Sequence, residues 1–193
     1  MKAVILDNGH GSNTAGKRSP VWKDGTQLRE WEFNRNIVKR IVERLQRLGI
    51  PYYVLVPETG DVGLKERVRR ANQYYRSHYN NAFLVSVHAN AGGGTGWEAY
   101  TSRGKTKSDE MATIFYDEAE KHFPAWKIRT DYTDGDADKE EDFYILKNTS
   151  CPAILTENFF MDREKDCRYI MSEAGRREIA DMHVCAIRRI AKL

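Results

Sequence analysis

Long hydrophobic runs are missing from this 193-residue sequence. The first apolar stretch is only Ala3 to Leu6 and ends at Asp7, too short for a signal-peptide core or a membrane span. Cysteine is scarce, and Cys151, Cys167 and Cys185 show no CxxC spacing, which argues against a disulfide framework or a cysteine-rich metal site and leaves reduced thiols. No block of one charge sign stands out. The 31 basic and 28 acidic side chains are mixed along the chain to a net +3, so nucleic acid is not an expected partner. Internal repeats are absent. These absences predict a protein made in the cytoplasm without a leader and not inserted in a membrane.

What is present is a set of short apolar runs, each ending in polar residues. Ala3 to Leu6, Tyr52 to Val56, Phe83 to Val87 and Ala153 to Thr156 read as buried strands. Helical patterns lie between or after them. Phe33, Ile37, Ile41, Leu45 and Leu48 form one stripe of a helix over about 28–48 that Gly49 stops. Further helices are predicted at about 64–79, 109–122 and 173–193. Strands alternating with helices predict an α/β fold: one domain over 1–193, with a twisted, mostly parallel central sheet of about six strands and helices on both faces.

Two segments read as loops. One is Asn90 to Gly96, rich in glycine; the other is Asp131 to Asp142, with seven acidic residues in twelve positions. The acidic stretch lacks the glycine and glutamate spacing of an EF-hand and is read as a solvated rim.

In an open α/β sheet, ligands bind outside the carboxyl ends of the strands. The first run ends near His10, the third at His88 and the fourth at Glu157, which would bring three ionisable groups to one edge. Glu30 adds to them because it continues the Phe33–Ile37–Ile41 stripe backward by three residues and so points coreward. An unpaired buried carboxylate costs several kcal/mol, so Glu30 requires either an arginine or a metal. Two imidazoles and one carboxylate would suit one Zn²⁺ with an open fourth position, leaving Glu157 as a general acid/base for hydrolysis.

The motifs resemble those of the zinc-dependent N-acetylmuramoyl-L-alanine amidases of the amidase 3 type. Val4-Ile5-Leu6-Asp7-Asn8-Gly9-His10-Gly11 resembles the family's first strand and histidine ligand, with Asn8 where proline is usual. Glu30-Trp31-Glu32-Phe33-Asn34 resembles its glutamate-led helix, and Leu64-Lys65-Glu66-Arg67 with Ala71-Asn72 resembles the next one. Ser86-Val87-His88-Ala89-Asn90 resembles the second histidine motif and Pro152-Ala153-Ile154-Leu155-Thr156-Glu157 the catalytic strand. The resemblance implies Zn²⁺ on His10, Glu30 and His88, Glu157 as catalytic acid/base, and cleavage between N-acetylmuramic acid and L-alanine in peptidoglycan. With such a substrate outside the membrane and no leader read in the sequence, the expected setting is a phage or prophage lysin or cell-wall remodelling enzyme. It would act at the cell wall or periplasm, reached through a membrane lesion made by a holin partner or by a secretion partner; an injected effector and a secreted enzyme with its leader trimmed are the alternatives. A catalytically silent wall-binding module and a zinc peptidase of the stem are the competing expectations.

Asn90 and Trp97 are candidate substrate-binding residues, and Trp126, Tyr132 and Tyr144 could stack on sugar rings or simply pack. Arg67 and Asn72 are expected to brace their helix. His78, His122 and His183 match no motif and are assigned surface or packing roles.

Overall fold

A computed structural model describes residues 1–192. The first half runs β1 (Ala3–Asn8), α1 (Glu30–Leu48), β2 (Tyr52–Val54), α2 (Leu64–Ser77), β3 (Ala82–Asn90) and β4 (Trp97–Thr101). The second half runs α3 (Lys107–His122), β5 (Lys139–Glu140), α4 (Tyr144–Asn148), β6 (Ala153–Phe160), α5 (Glu164–Met171) and α6 (Glu173–Ala191). The six strands form one sheet in the order β2-β1-β3-β6-β4-β5. All neighbours are parallel except β4, which runs antiparallel to β6. The predicted α/β class and mostly parallel sheet are what is seen.

Period-2 alternation divides the strands between two cores. Val4, Leu6, Phe83, Val85 and Ile154 point into the larger core with α1, α3 and α6. Ala3, Ile5, Leu84, Ala153 and Leu155 point into a smaller one under α2 and α4. Burial on both faces explains why these strands read as continuous apolar runs rather than alternating ones. Helix α1 buries Phe33, Ile37, Ile41 and Leu45 and ends at Gly49, whose φ of 65° places it in the left-handed region that closes the helix.

Several boundaries differ from the sequence expectation. Strand β6 runs on to Phe160 and β3 to Asn90, so His88 and Glu157 lie within strands rather than at their ends. Strands β4 and β5 and helices α4 and α5 were not foreseen. A buried Glu98 interrupts the apolar pattern of β4, β5 is two charged residues long, and the two helices are shorter than the windows in which a stripe shows. The acidic 131–142 segment is not wholly a solvated rim. Lys139 and Glu140 pair with Tyr100 and Thr101, and Asp138 is buried, accepting a hydrogen bond from Thr101 Oγ1 at 2.6 Å. Burial and the neighbouring Asp136 carboxyl push the Asp138 pKa up to about 8.

Candidate metal centre and active site

The strand order reverses at β1, which has β2 on one side and β3 on the other, and it is at such a crevice that α/β sheets bind ligands. His10 follows the end of β1 with φ 63°, a left-handed conformation that is costly for a residue with a Cβ and that clusters at functional sites. Its carbonyl is held by Arg35 Nη1 at 2.9 Å and Arg67 Nη2 at 3.3 Å. The turn that presents the imidazole is therefore fixed from behind by two guanidinium groups.

Glu30 opens α1, where the amide dipoles favour a carboxylate. It is 1% exposed. Its Oε1 lies 3.0 Å from His88 Nδ1 and 3.3 Å from His10 Nε2, and accepts from the Ala89 amide at 3.3 Å. The two imidazole rings meet edge to face with centroids 4.9 Å apart. Gly9 makes this approach possible, because a Cβ there would sit 2.0 Å from His88 Cε1. The alternative reading of Glu30 as the partner of an arginine is not what the structure shows; its partners are the two histidines.

Glu157 is paired in register with His88 on β3 and with Glu98 on β4, so all three side chains leave the same face of the sheet. Burial, with the nearby Glu30 and Glu98 charges, pushes the Glu157 pKa up to about 8, against a smaller opposing pull from His88. Burial also acts to raise Glu30, but its bonds to His10 and His88 prevail and hold it well below the usual carboxylate range. For His88, burial acts to lower the pKa and is outweighed by the Glu30 bond and by the Glu30 and Glu157 charges, so the net shift is upward.

Glu30 Oε2 and Glu157 Oε2 are both buried with no hydrogen-bond partner. Orphaned carboxylate oxygens close to imidazoles are acceptors that a bound cation would satisfy. His10, Glu30 and His88 also offer ligand atoms within 4.8 Å of one another. The donor set, two nitrogens and one oxygen, fits Zn²⁺ with a position left open.

His10, His88 and Glu157 line a cleft of about 360 Å³, together with Lys17, Arg67, Leu64, Phe143, Tyr144 and Leu155. A slightly larger cavity lies at the opposite ends of the strands, near Lys2, Phe83 and Pro152, away from this chemistry. Tyr144, at the cleft wall and 38% exposed, is where a stacking residue was expected. Trp97 is not. It is fully buried, its Nε1 donates to Asn158 Oδ1 at 3.1 Å, and strand alternation turns it into the α3/α6 core, away from the face that carries Glu98 and Glu157. The sequence expectation that Trp97 binds substrate is corrected accordingly. Asn90 is also committed internally, donating from Nδ2 to Glu98 Oε1 and accepting from the Ala91 amide at 2.8 Å; it braces β4 against β3.

Three features were not read from the sequence. Glu98 is buried under Arg129 and Lys139, at 2.7 and 2.6 Å. Phe143 joins the anticipated Tyr144 in the cleft wall. Arg67 does more than brace α2, since it binds Asp7 and the carbonyls of Asn8 and His10. His78 stacks on Tyr74 and His183 is buried against Thr156, in keeping with packing roles.

The family described as N-acetylmuramoyl-L-alanine amidase, amidase 3, matches over residues 4–189. The N-acetylmuramoyl-L-alanine amidase CwlM of Bacillus licheniformis is 29% identical over 197 residues, spanning 100% of this chain and 70% of the relative. The endolysin of Bacillus phage SPP1 is 28% identical over 201 residues, spanning 100% and 67%. Among solved structures, the N-acetylmuramoyl-L-alanine amidase of Clostridium difficile 630 superposes with a TM-score of 0.80 at 23% identity, over 97% of this chain and 95% of that one.

Proposed function

The chain belongs to the N-acetylmuramoyl-L-alanine amidase family of type 3, and we propose that it cuts the amide between N-acetylmuramic acid and L-alanine in peptidoglycan with one Zn²⁺ held by His10, Glu30 and His88 and with Glu157 as general acid/base. The observation that carries this reading is the pair of buried, partnerless carboxylate oxygens on Glu30 and Glu157 beside two imidazoles. A silent wall-binding module would have no need to keep such oxygens desolvated, at a cost of about 1–3 kcal/mol each.

When bound, Zn²⁺ supplies a Lewis acid that polarises the scissile carbonyl and acidifies water. Glu30, ionised at neutral pH, fixes both imidazole rings. Glu157 in its ionised form accepts the proton of the attacking water, and in its protonated form delivers that proton to the L-alanine nitrogen as the C–N bond breaks. That second transfer is required because an amide anion is a very poor leaving group. The elevated pKa of Glu157 suits a group that must hold a proton between the two steps. Phe143, Tyr144 and Leu155 give the cleft an apolar wall against which a sugar face can pack.

Purified cell walls digested by the wild type and by Glu157→Gln provide the test. The expected result is release of L-alanine amino termini by the wild type and a fall of about 10²–10⁴-fold in the variant, with zinc content unchanged. Equal release by both proteins, or full activity in protein freed of metal, would overturn the assignment. Release of fragments cut within the stem peptide instead would favour the peptidase reading.

A further inference from the structure

Among the described residues a second group of metal-ligating side chains lies on the opposite layer of the fold, between α3 and α6. Glu118 and His122, one helical turn apart at the end of α3, and Cys185 on α6 offer ligand atoms within 4.8 Å of one another. Sequence spacing alone gave His122 a surface or packing role, because its partners come from a helix more than fifty residues away. We propose that Glu118, His122 and Cys185 form a second metal site, selective for a thiophilic divalent cation such as Zn²⁺, Co²⁺ or Cd²⁺, that clamps α3 to α6.

Each ligand is available in the form a metal needs. His122 Nδ1 lies 2.6 Å from Glu178 Oε1; with Nδ1–H donating to that carboxylate, the pair fixes the ring and presents Nε2 to a metal. Both cations on Glu118, Lys121 at 2.9 Å and Arg189 at 2.6 Å, bond to Oε1, so Oε2 is the oxygen left to ligate. Arg189 retains Asp117 through Nη2 at 2.8 Å and need not leave when a metal arrives. Cys185 is a free, half-buried thiol whose pKa is raised by burial and by the Glu118 charge; a metal replaces its proton, and the thiolate that results excludes magnesium and calcium in favour of softer ions. Tetrahedral bonds of about 2.0–2.3 Å place ligands roughly 3.3–3.8 Å apart, so rotamer adjustment of about an ångström closes the site. The surroundings are partly open, with the His122 side chain 20% and Glu178 43% exposed, which gives a metal a way in.

Cobalt distinguishes this site from the catalytic one, because only Cys185 brings sulfur. Metal-free protein titrated with Co²⁺ alone is expected to bind two equivalents. A thiolate-to-cobalt band in the near ultraviolet should accompany one of them, and bound metal should protect Cys185 from alkylation, mapped by mass spectrometry. In Cys185→Ser the band should vanish and the stoichiometry fall to one, with amidase rate on cell walls retained as the sign of an intact fold. Glu178→Gln should weaken the band's half-saturation about 10–100-fold, and His122→Ala at least as much. Absence of the band in the wild type, its persistence in Cys185→Ser, or unchanged alkylation of Cys185 with metal would each overturn the proposal. Alkylation needs no variant, so the result stands even if a substitution fails to fold. Because the readouts involve sulfur and not hydrolysis, they are independent of the role given to Glu157.

Discussion

Replacing Arg67 by methionine should test how the catalytic turn is held. Arg67 is 2% exposed and spends all five of its N–H donors: Nε on Val62 O at 2.6 Å, Nη1 on Asp7 Oδ1 at 2.5 Å and Asn8 O at 3.1 Å, and Nη2 on His10 O at 3.3 Å and Asp61 Oδ1 at 2.9 Å. Asp7 is equally buried, and after the change would keep only Ser86 Oγ at 2.6 Å. Breaking a buried pair from one side costs about 3–5 kcal/mol, because the other charge stays desolvated. For a chain of this size each kcal/mol moves Tm by about 2–4 °C, so metal-free Arg67→Met should melt roughly 6–20 °C below wild type. Asp7→Asn/Arg67→Met should recover part of the loss, with a coupling energy of about 1 kcal/mol or more.

The same substitution should reach the metal. With Arg67 gone, the His10 carbonyl keeps only Arg35, and a backbone at φ 63° has less to hold it. Zinc affinity, read by calorimetry, should fall about 10–100-fold, as for other residues that orient a ligand. A variant that melts within about 2 °C of wild type and binds zinc unchanged would refute the claim that this network holds the site.

Trp97→Ala should cost about 3–5 kcal/mol in denaturant unfolding, since the ring is fully buried; a raised KM with unchanged stability would return Trp97 to the groove. Gly9→Ala should expel the His88 ring, which a Cβ would meet at 2.0 Å, and lower zinc affinity more than tenfold; an unchanged zinc isotherm would show that the ring has room. The pH dependence of stability carries a sign. Metal-free Glu157 titrates near 8 when folded against an ordinary 4.5, so the folded state holds that proton more tightly and stability falls as pH rises from about 4.5 to about 8. Glu157→Gln should remove that part of the decline in urea melts collected across this range. If Zn²⁺ is bound as proposed, its charge should lower the Glu157 pKa, and the acid limb of kcat/KM should have its midpoint below about 8.

The chemistry was legible where it sat on strong local patterns. Apolar runs marked β1, β3 and β6, and their polar continuations named His10, His88 and Glu157, even though the last two proved to lie inside longer strands. Glu30 was legible because a carboxylate on an apolar stripe needs a reason; the stripe alone left an arginine or a metal open, and His10 and His88 joined it only as a ligand set suited to one metal ion, because they come from the turn after β1 and from β3. Trp97 was misplaced for a related cause. In a strand that alternates faces, one position separates a residue beside Glu157 from one in the opposite core, and β4 was not recognised as a strand at all. Glu98, Arg129 and Lys139 converge from three segments, and no spacing within one element could announce them.

On the proposed reading of the site, metal uptake would be linked to the proton that catalysis needs. Glu30 is held ionised by its bonds to the two histidines, the His88 pKa is shifted upward by the Glu30 bond, and burial beside two other carboxylates pushes the Glu157 pKa up to about 8. A divalent ion on His10, Glu30 and His88 requires a neutral His88, and its charge favours ionised Glu157 as well. Binding should therefore oppose protonation of both groups and release protons, with Glu157, whose pKa lies near 8, contributing at neutral pH. Metal binding would then also favour the ionised form of Glu157, the form able to accept a proton from water. In calorimetry, buffers of different ionisation enthalpy should report a release near neutral pH that shrinks in Glu157→Gln by the share belonging to Glu157. An identical release from both proteins would mean that the two groups are not coupled through the metal.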